Sequence, residues 1–247
     1  MTRSVVQRAG AVVDRVDAAF ESRVATRSAA VVLIELFAGL GWARACVEKM
    51  IDGRWWRGET VQAFVAEHRG DGIAWYRPAV EGLVVVVPIG VASIVLIIEA
   101  SLAVCLLRGR RLELVAVVGC GLLLQFLLAG ATNPAVFYLV FHAALGLWAV
   151  EQRAPTTQLL AGLRWAVGGC ALLIVTTLPF AKAAAPAGAI NDPALVASAW
   201  AGCVAVTALG ARRRIRRRHL EAVTIDLRIS KPTSKTKMTR QRRAVRV

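Results

Sequence analysis

Residues 29–56, "AAVVLIELFAGLGWARACVEKMIDGRWW", decide how this chain folds. The stretch opens as an apolar run of the kind a helix uses to cross a hydrocarbon core of about 30 Å. It then turns polar: Arg44, Glu48, Lys49, Asp52 and Arg54 crowd together ahead of a double tryptophan, Trp55 and Trp56. Asp52, Arg54 and both tryptophans suit the headgroup border of a membrane helix. Arg44 and Glu48 lie inward of that border. Four residues apart, they share a helical face and can bond to each other. Lys49 points about 100° away from that face.

The rest of the chain repeats the apolar theme. Its 247 residues are 57% hydrophobic, with a mean hydropathy of +0.56, well above a soluble domain. Continuous apolar runs predict spans at 29–50, 79–107, 112–131, 134–151, 163–182 and 193–210. Continuous rather than alternating hydrophobicity argues for helices and against a barrel. The expected fold is therefore all-α, a polytopic membrane helix bundle. Pro134 reads as an N1 proline opening the fourth span, and Pro88 removes a backbone donor and kinks the second.

The chain divides into four parts. Residues 1–28 read as an amphipathic helix in the membrane interface, with Val5, Val12, Val16 and Phe20 on one face and Arg8, Asp14, Arg15 and Glu21 on the other. Residues 29–151 hold four spans and an outer loop, 51–78. That loop carries Val61, Phe64 and Val65 at helical spacing and is expected to fold back over the bundle. Residues 152–210 add two spans. Residues 211–247 form a basic tail, expected to be disordered. The N-terminal residues lack the layout of a cleaved signal peptide.

Net charge is +15, yet fourteen of the 31 Lys and Arg lie from Arg212 onward. Six spans put both termini on one side. Twenty-four basic residues then fall on the terminal side and five on the other, which places both termini in the cytoplasm of a bacterial plasma membrane. The juxtamembrane run "RRRIRRRHL" is expected to attract anionic lipid. Nucleic acid is a poor partner, since no aromatic interleaving accompanies the charge. The five cysteines lie in or beside apolar runs with no C-x-x-C pair, as packing residues do.

Ionisable groups inside a span need a reason. Glu35 and Glu99 are each about 12–14 Å in from flanking arginines, and two carboxylates at one depth on adjacent spans can share a proton or hold a cation. In the outer half, Arg44, Glu48, Lys49, Glu81, Gln125, Asn133, Tyr138 and His142 can converge on a polar pocket. Such a pocket suits a quinone: Arg44, Lys49, Gln125, Asn133 and Tyr138 to hold the headgroup, Glu48 and His142 to move protons. No metal is expected, and bis-histidine haem is disfavoured because His142 is the only histidine within a span. No phosphate loop or nucleophile elbow appears.

Two patterns carry a resemblance. Residues 41–56 read G-W-x-R-x-x-x-E-K-x-x-D-x-x-W-W, and residues 130–138 read G-x-x-N-P-x-x-F-Y. They resemble the DoxX/DoxD-like membrane proteins, which include the small membrane subunit of thiosulfate:quinone oxidoreductase. The likeness covers roughly residues 29–150. It implies a four-helix membrane core and, in some members, electron transfer from a sulfur compound to quinone. It touches Gly41, Trp42, Arg44, Glu48, Lys49, Asp52, Trp55, Trp56, Gly130, Asn133, Pro134, Phe137 and Tyr138. Spans five and six and the tail exceed that core. A sulfur-oxidising domain is lacking, so a protein partner subunit has to supply that chemistry. Two other functions fit the residues: a membrane scaffold or assembly subunit, and a small-solute transporter using Glu35 and Glu99.

Overall fold

The computed structural model describes residue 18 and residues 21–132, 134–153, 156–183 and 186–230. The interfacial helix expected at 4–27 therefore lies largely outside the described residues, apart from a helical stretch at 21–26.

The described residues are all-helical, a polytopic bundle. Helix α1 (Ala29–Ile51) begins where the Ser28 side chain accepts from the Val31 N–H, and it ends at Asp52. Asp52 also organises the start of the outer loop. Its carboxylate accepts from the Arg54 N–H at 2.9 Å and from the Thr60 hydroxyl at 2.7 Å. These two bonds, Thr60 first, hold the carboxyl below the usual carboxylate range. A 3₁₀ turn (Trp55–Arg57) and α2 (Glu59–Glu67) come next.

The expected second span is two helices. Helix α3 (Arg77–Val86) and α4 (Pro88–Leu107) are separated at Val87, which leaves helical geometry at φ −137°, ψ 56°. Proline disfavours helical geometry in the residue before it and lacks the N–H to continue a helix, so it starts a new one at N1. Helices α5 (Leu112–Leu128) and α6 (Ala135–Glu151) come after it. Helix α7 (Thr157–Thr177) starts six residues before the expected span, because the Thr156 side chain caps it by accepting from the Leu159 N–H. A turn at Leu178–Phe180 and the short α8 (Pro186–Ala189) lead to α9 (Pro193–Ser230).

Helix α9 corrects the expected tail. It runs unbroken for 38 residues, so the part of the tail from 211 to 230 is helical rather than disordered. The stretch "ARRRIRRRHLEA" is low in apolar content but rich in strong helix formers. Residues 231–247 lie outside the described residues.

Among the described residues four helical stretches are long and apolar enough to cross a membrane: Ala29–Ile51, Pro88–Leu107, Thr157–Phe180 and Pro193–Glu221; α5 and α6 are shorter apolar helices. The helices pair as α1 with α4, α5 with α6, and α7 with α9. One end of the bundle gathers arginines. Arg27 lies against Gly109 and over the Trp148 ring, Arg153 pairs with Glu113, and Arg214 with Glu151. The other end gathers tryptophans and the 51–78 loop. That loop folds back: Ile73 is 2% exposed within the main core, and its N–H donates to the Leu128 carbonyl at 2.9 Å. Trp75 donates to the Thr176 carbonyl, tying the loop to α7.

Candidate functional site

The α1/α4 pair runs antiparallel, and specific contacts fix its register. Gly39 lies against Leu106 and Leu107, and Gly58 against Pro88. The same register sets Glu35 beside Gly109 and Lys49 beside Glu99. Glu35 and Glu99 therefore stand at different heights, and they do not share a proton or a cation. Each has its own base. Arg27 reaches both Glu35 oxygens, at 2.7 and 2.8 Å, and Lys49 Nζ lies 2.9 and 2.8 Å from the two Glu99 oxygens. Depth counted from flanking arginines misled here. The chain folds at Ser28 so that Arg27 reaches inward, whereas nothing basic on α4 itself is near Glu99.

Lys49 is thus a lock between helices rather than a wall of a headgroup pocket. Its ammonium also sits 5.1 Å from the centre of the Trp55 ring. Trp55 is 6% exposed, packed with Val61, Val84 and Ala92. Of the two expected border tryptophans only Trp56 behaves as one: it is half-exposed and donates to the Met50 carbonyl.

His142 on α6 is fully buried and fully engaged. The Trp42 indole donates to Nε2 at 3.1 Å, and Nδ1 lies 2.8 Å from the Tyr138 carbonyl. An indole N–H is only a donor, so Nε2 is the acceptor and the proton sits on Nδ1. Neither ring nitrogen remains for a headgroup, which corrects the proton-carrier role expected of it. Gly119 on α5 makes room for the imidazole; a Cβ there would overlap the ring. Gln125 is also taken, by the Tyr76 hydroxyl of the outer loop. Glu81 lies near Arg69 and Arg77 in that loop. Asn133 lies outside the described residues.

Two of the expected residues bond to each other, and a third, Tyr138, stands on the same side of α1. The Arg44 Nε donates to Glu48 at 2.7 Å, and the two side chains are 81% and 58% exposed. Gly41, three residues before Arg44, is against the Tyr138 hydroxyl of α6. A helix rises about 1.5 Å per residue, so the base of Arg44 is level with the first residues of α6. Tyr138 stacks on Phe37 at 6.3 Å, and Phe37 meets Phe137 and Phe141 edge-on at 5.9 and 5.6 Å. Phe37 and Phe137 are both about half-exposed. The outcome is an open polar mouth at the head of α6, continued along the α1/α6 seam by a half-exposed aromatic strip. This arrangement can seat a molecule with a flat polar head and an apolar body, approached from the side.

Sequence reasoning missed the Lys49–Glu99 lock and the Trp42–His142 bond. The one available signal was that Lys49 and Glu99 are opposite charges on consecutive long spans. Compared with known proteins, the chain matches no family model, no curated protein and no solved structure.

Proposed function

We propose that this chain is a membrane subunit that binds an isoprenoid quinone at the Arg44–Glu48–Tyr138 mouth and passes it electrons drawn from a sulfur or thiol donor by a partner subunit. The observation that carries the reading is an ion pair left open beside a tyrosine, at the head of an aromatic strip reachable from lipid. Quinones travel laterally in the hydrocarbon layer, so their sites open sideways. The motif likeness of residues 41–56 and 130–138 to DoxX/DoxD proteins supports the same reading.

A quinone accepts two electrons and two protons when it is reduced. The chain's own residues divide the remaining work. Arg44 donates to a headgroup carbonyl oxygen; its planar fork stays charged throughout. Tyr138 offers a second donor from the facing helix. Glu48, exposed and bonded to Arg44, exchanges protons with water at the membrane border. Trp42 and His142 lie behind Tyr138 and fix its backbone, and Lys49–Glu99 holds α1 in register against α4. The last four are positioning residues.

The test uses the full chain in nanodiscs. A short-chain quinone is titrated while tryptophan fluorescence is followed, because the Trp42 ring is 5.9 Å from that of Tyr138. Saturable quenching is expected in the wild type, with affinity falling about tenfold in Arg44→Ala through loss of a charged donor. Equal affinity in wild type and Arg44→Ala defeats the proposal. The scaffold reading has one observation of its own, the engagement of both His142 nitrogens and of the Gln125 amide oxygen within the fold. A complex with a redox partner that survives Arg44→Ala at undiminished activity favours it.

A further inference from the structure

The other end of the bundle carries a second arrangement that the quinone reading does not use. Helix α9 passes the end of the bundle without a break. Ile215 is the last deeply buried residue of this helix among those described, 2% exposed and packed with Leu163 and Ala208. Leu147 and Val150 at the end of α6, and Leu159 at the start of α7, close around this cluster. Ile215 therefore marks the edge of the bundle, and six arginines bracket it: Arg212, Arg213, Arg214, Arg216, Arg217 and Arg218.

Their placement on the helix is specific. At about 100° per residue, they occupy every direction except the one in which Ile215 and Ala211 face the bundle. They also stack as three i,i+4 rows, Arg212 over Arg216, Arg213 over Arg217, and Arg214 over Arg218. Like charges at that spacing repel within a helix. Among the described residues only Arg214 has an acidic partner, Glu151 of α6. The Nε of Arg212 is buried with no acceptor among the described residues. A polybasic segment at this position fixes orientation through its charge alone, whatever its layout. Three stacked guanidinium rows and an orphaned N–H ask for something more: an anion with several acceptor oxygens.

We propose that this collar clamps the headgroup phosphates of anionic phospholipids, with each free row holding one phosphodiester between two guanidinium forks. Guanidinium pairs phosphate bidentately. The collar stands at the bundle edge, where headgroups lie, and the positive-inside rule assigns that edge to the cytoplasmic leaflet, the anionic one. The headgroup neutralises the repulsion within each row.

The experiment measures how strongly spin-labelled phosphatidylglycerol, relative to spin-labelled phosphatidylcholine, is immobilised around the full chain in phosphatidylcholine bilayers. The wild type is expected to favour phosphatidylglycerol about fivefold. Arg216→Gln with Arg217→Gln, both exposed positions filled by a good helix former, should lose most of that preference. Arg216→Lys with Arg217→Lys keeps the charge but not the fork, and an intermediate preference is expected. No preference in the wild type, or an equal one in the glutamine variant, overturns the proposal. A lysine variant equal to wild type overturns the clamp and leaves only attraction by charge. Binding of duplex DNA to the same purified chain that the glutamine substitutions abolish while lipid preference persists also overturns it.

Discussion

Two helix pairs in this bundle are held by opposite means. The α1/α4 pair is pinned by charge: Lys49 of α1 binds Glu99 of α4, and at the other end Arg27, held by Glu35 of α1, donates to the Gly109 carbonyl just past α4. The α7/α9 pair is held by smallness. Ala201, Ala208 and Ala211 on α9 are each 0–1% exposed, Ala208 packs against Leu163 of α7, and the hydroxyls of Thr177 and Ser198 lie 2.9 Å apart across the pair. Lipid tails are as apolar as leucine, so helices in a membrane need something besides hydrophobic burial to associate. Close approach of small residues gives contact area with loose specificity of register. A buried ion pair fixes register, because a one-residue slip separates the charges. The helix whose register is pinned, α1, is also one wall of the candidate mouth.

That contrast can be broken from either side. The largest effect is expected for Glu99→Ala, which leaves the largely buried Lys49 side chain without its carboxylate. Removing one partner of a buried pair costs roughly 3–5 kcal/mol, read as a lowered unfolding midpoint in detergent. Replacing both charges, with Lys49→Met and Glu99→Leu, should recover most of the loss. If the double variant is as unstable as the single one, the pair does more than fix register. Next comes Ala208→Leu, which drives a larger side chain against Leu163 of α7. Overpacking costs about 1–3 kcal/mol and should weaken this pair while leaving the α1/α4 crosslinking pattern of paired cysteines intact.

The smallest effect sharpens the comparison at the turn between α7 and α9. Asp192 is 7% exposed and caps α9. Burial alone would raise its carboxyl, but the N–H groups of Ala183, Lys182, Leu195 and Ala194 all donate to it and hold it below the usual range. Its folded pKa is depressed, so its contribution is complete above the unfolded value of about 3.9 and is lost as pH falls through the folded pKa. Asp192→Ala should cost about 1 kcal/mol at neutral pH and flatten the acid limb of the stability curve. An unchanged acid limb would refute the four-donor account.

Much of this architecture was legible in the sequence. Hydrophobic runs gave the positions of the apolar helices, and Ser28, Thr156 and Pro88 are local signals that place helix starts. The Arg44–Glu48 bond follows from spacing alone. What sequence could not supply was the crossing of helices. Lys49 meets Glu99, and Trp42 meets His142 one hundred residues away, because of how α1 is set against α4 and α6, and no periodicity within one helix encodes that. Trp55 is the instructive miss. A tryptophan at a helix end suits the interface, yet here the chain turns it inward, where the Lys49 ammonium sits over its ring. The length of α9 was legible in its helix formers but was outweighed by its low apolar content.

The two ion pairs of α1 also imply a timetable for assembly. Arg27 and Glu35 leave the ribosome almost together, so α1 carries its first carboxylate into the membrane already neutralised. Lys49 and Glu99 are separated by fifty residues and a folded loop. Glu99, in the middle of α4, has no base until α1 is beside it, and a lone charge there opposes insertion by about 3 kcal/mol. Helix α4 should therefore wait at the translocon for α1 rather than partition on its own. Insertion of α4 should fall in Lys49→Ala and not in Arg44→Ala when glycosylation sites flanking α4 report its integration; equal insertion in both would remove the timetable.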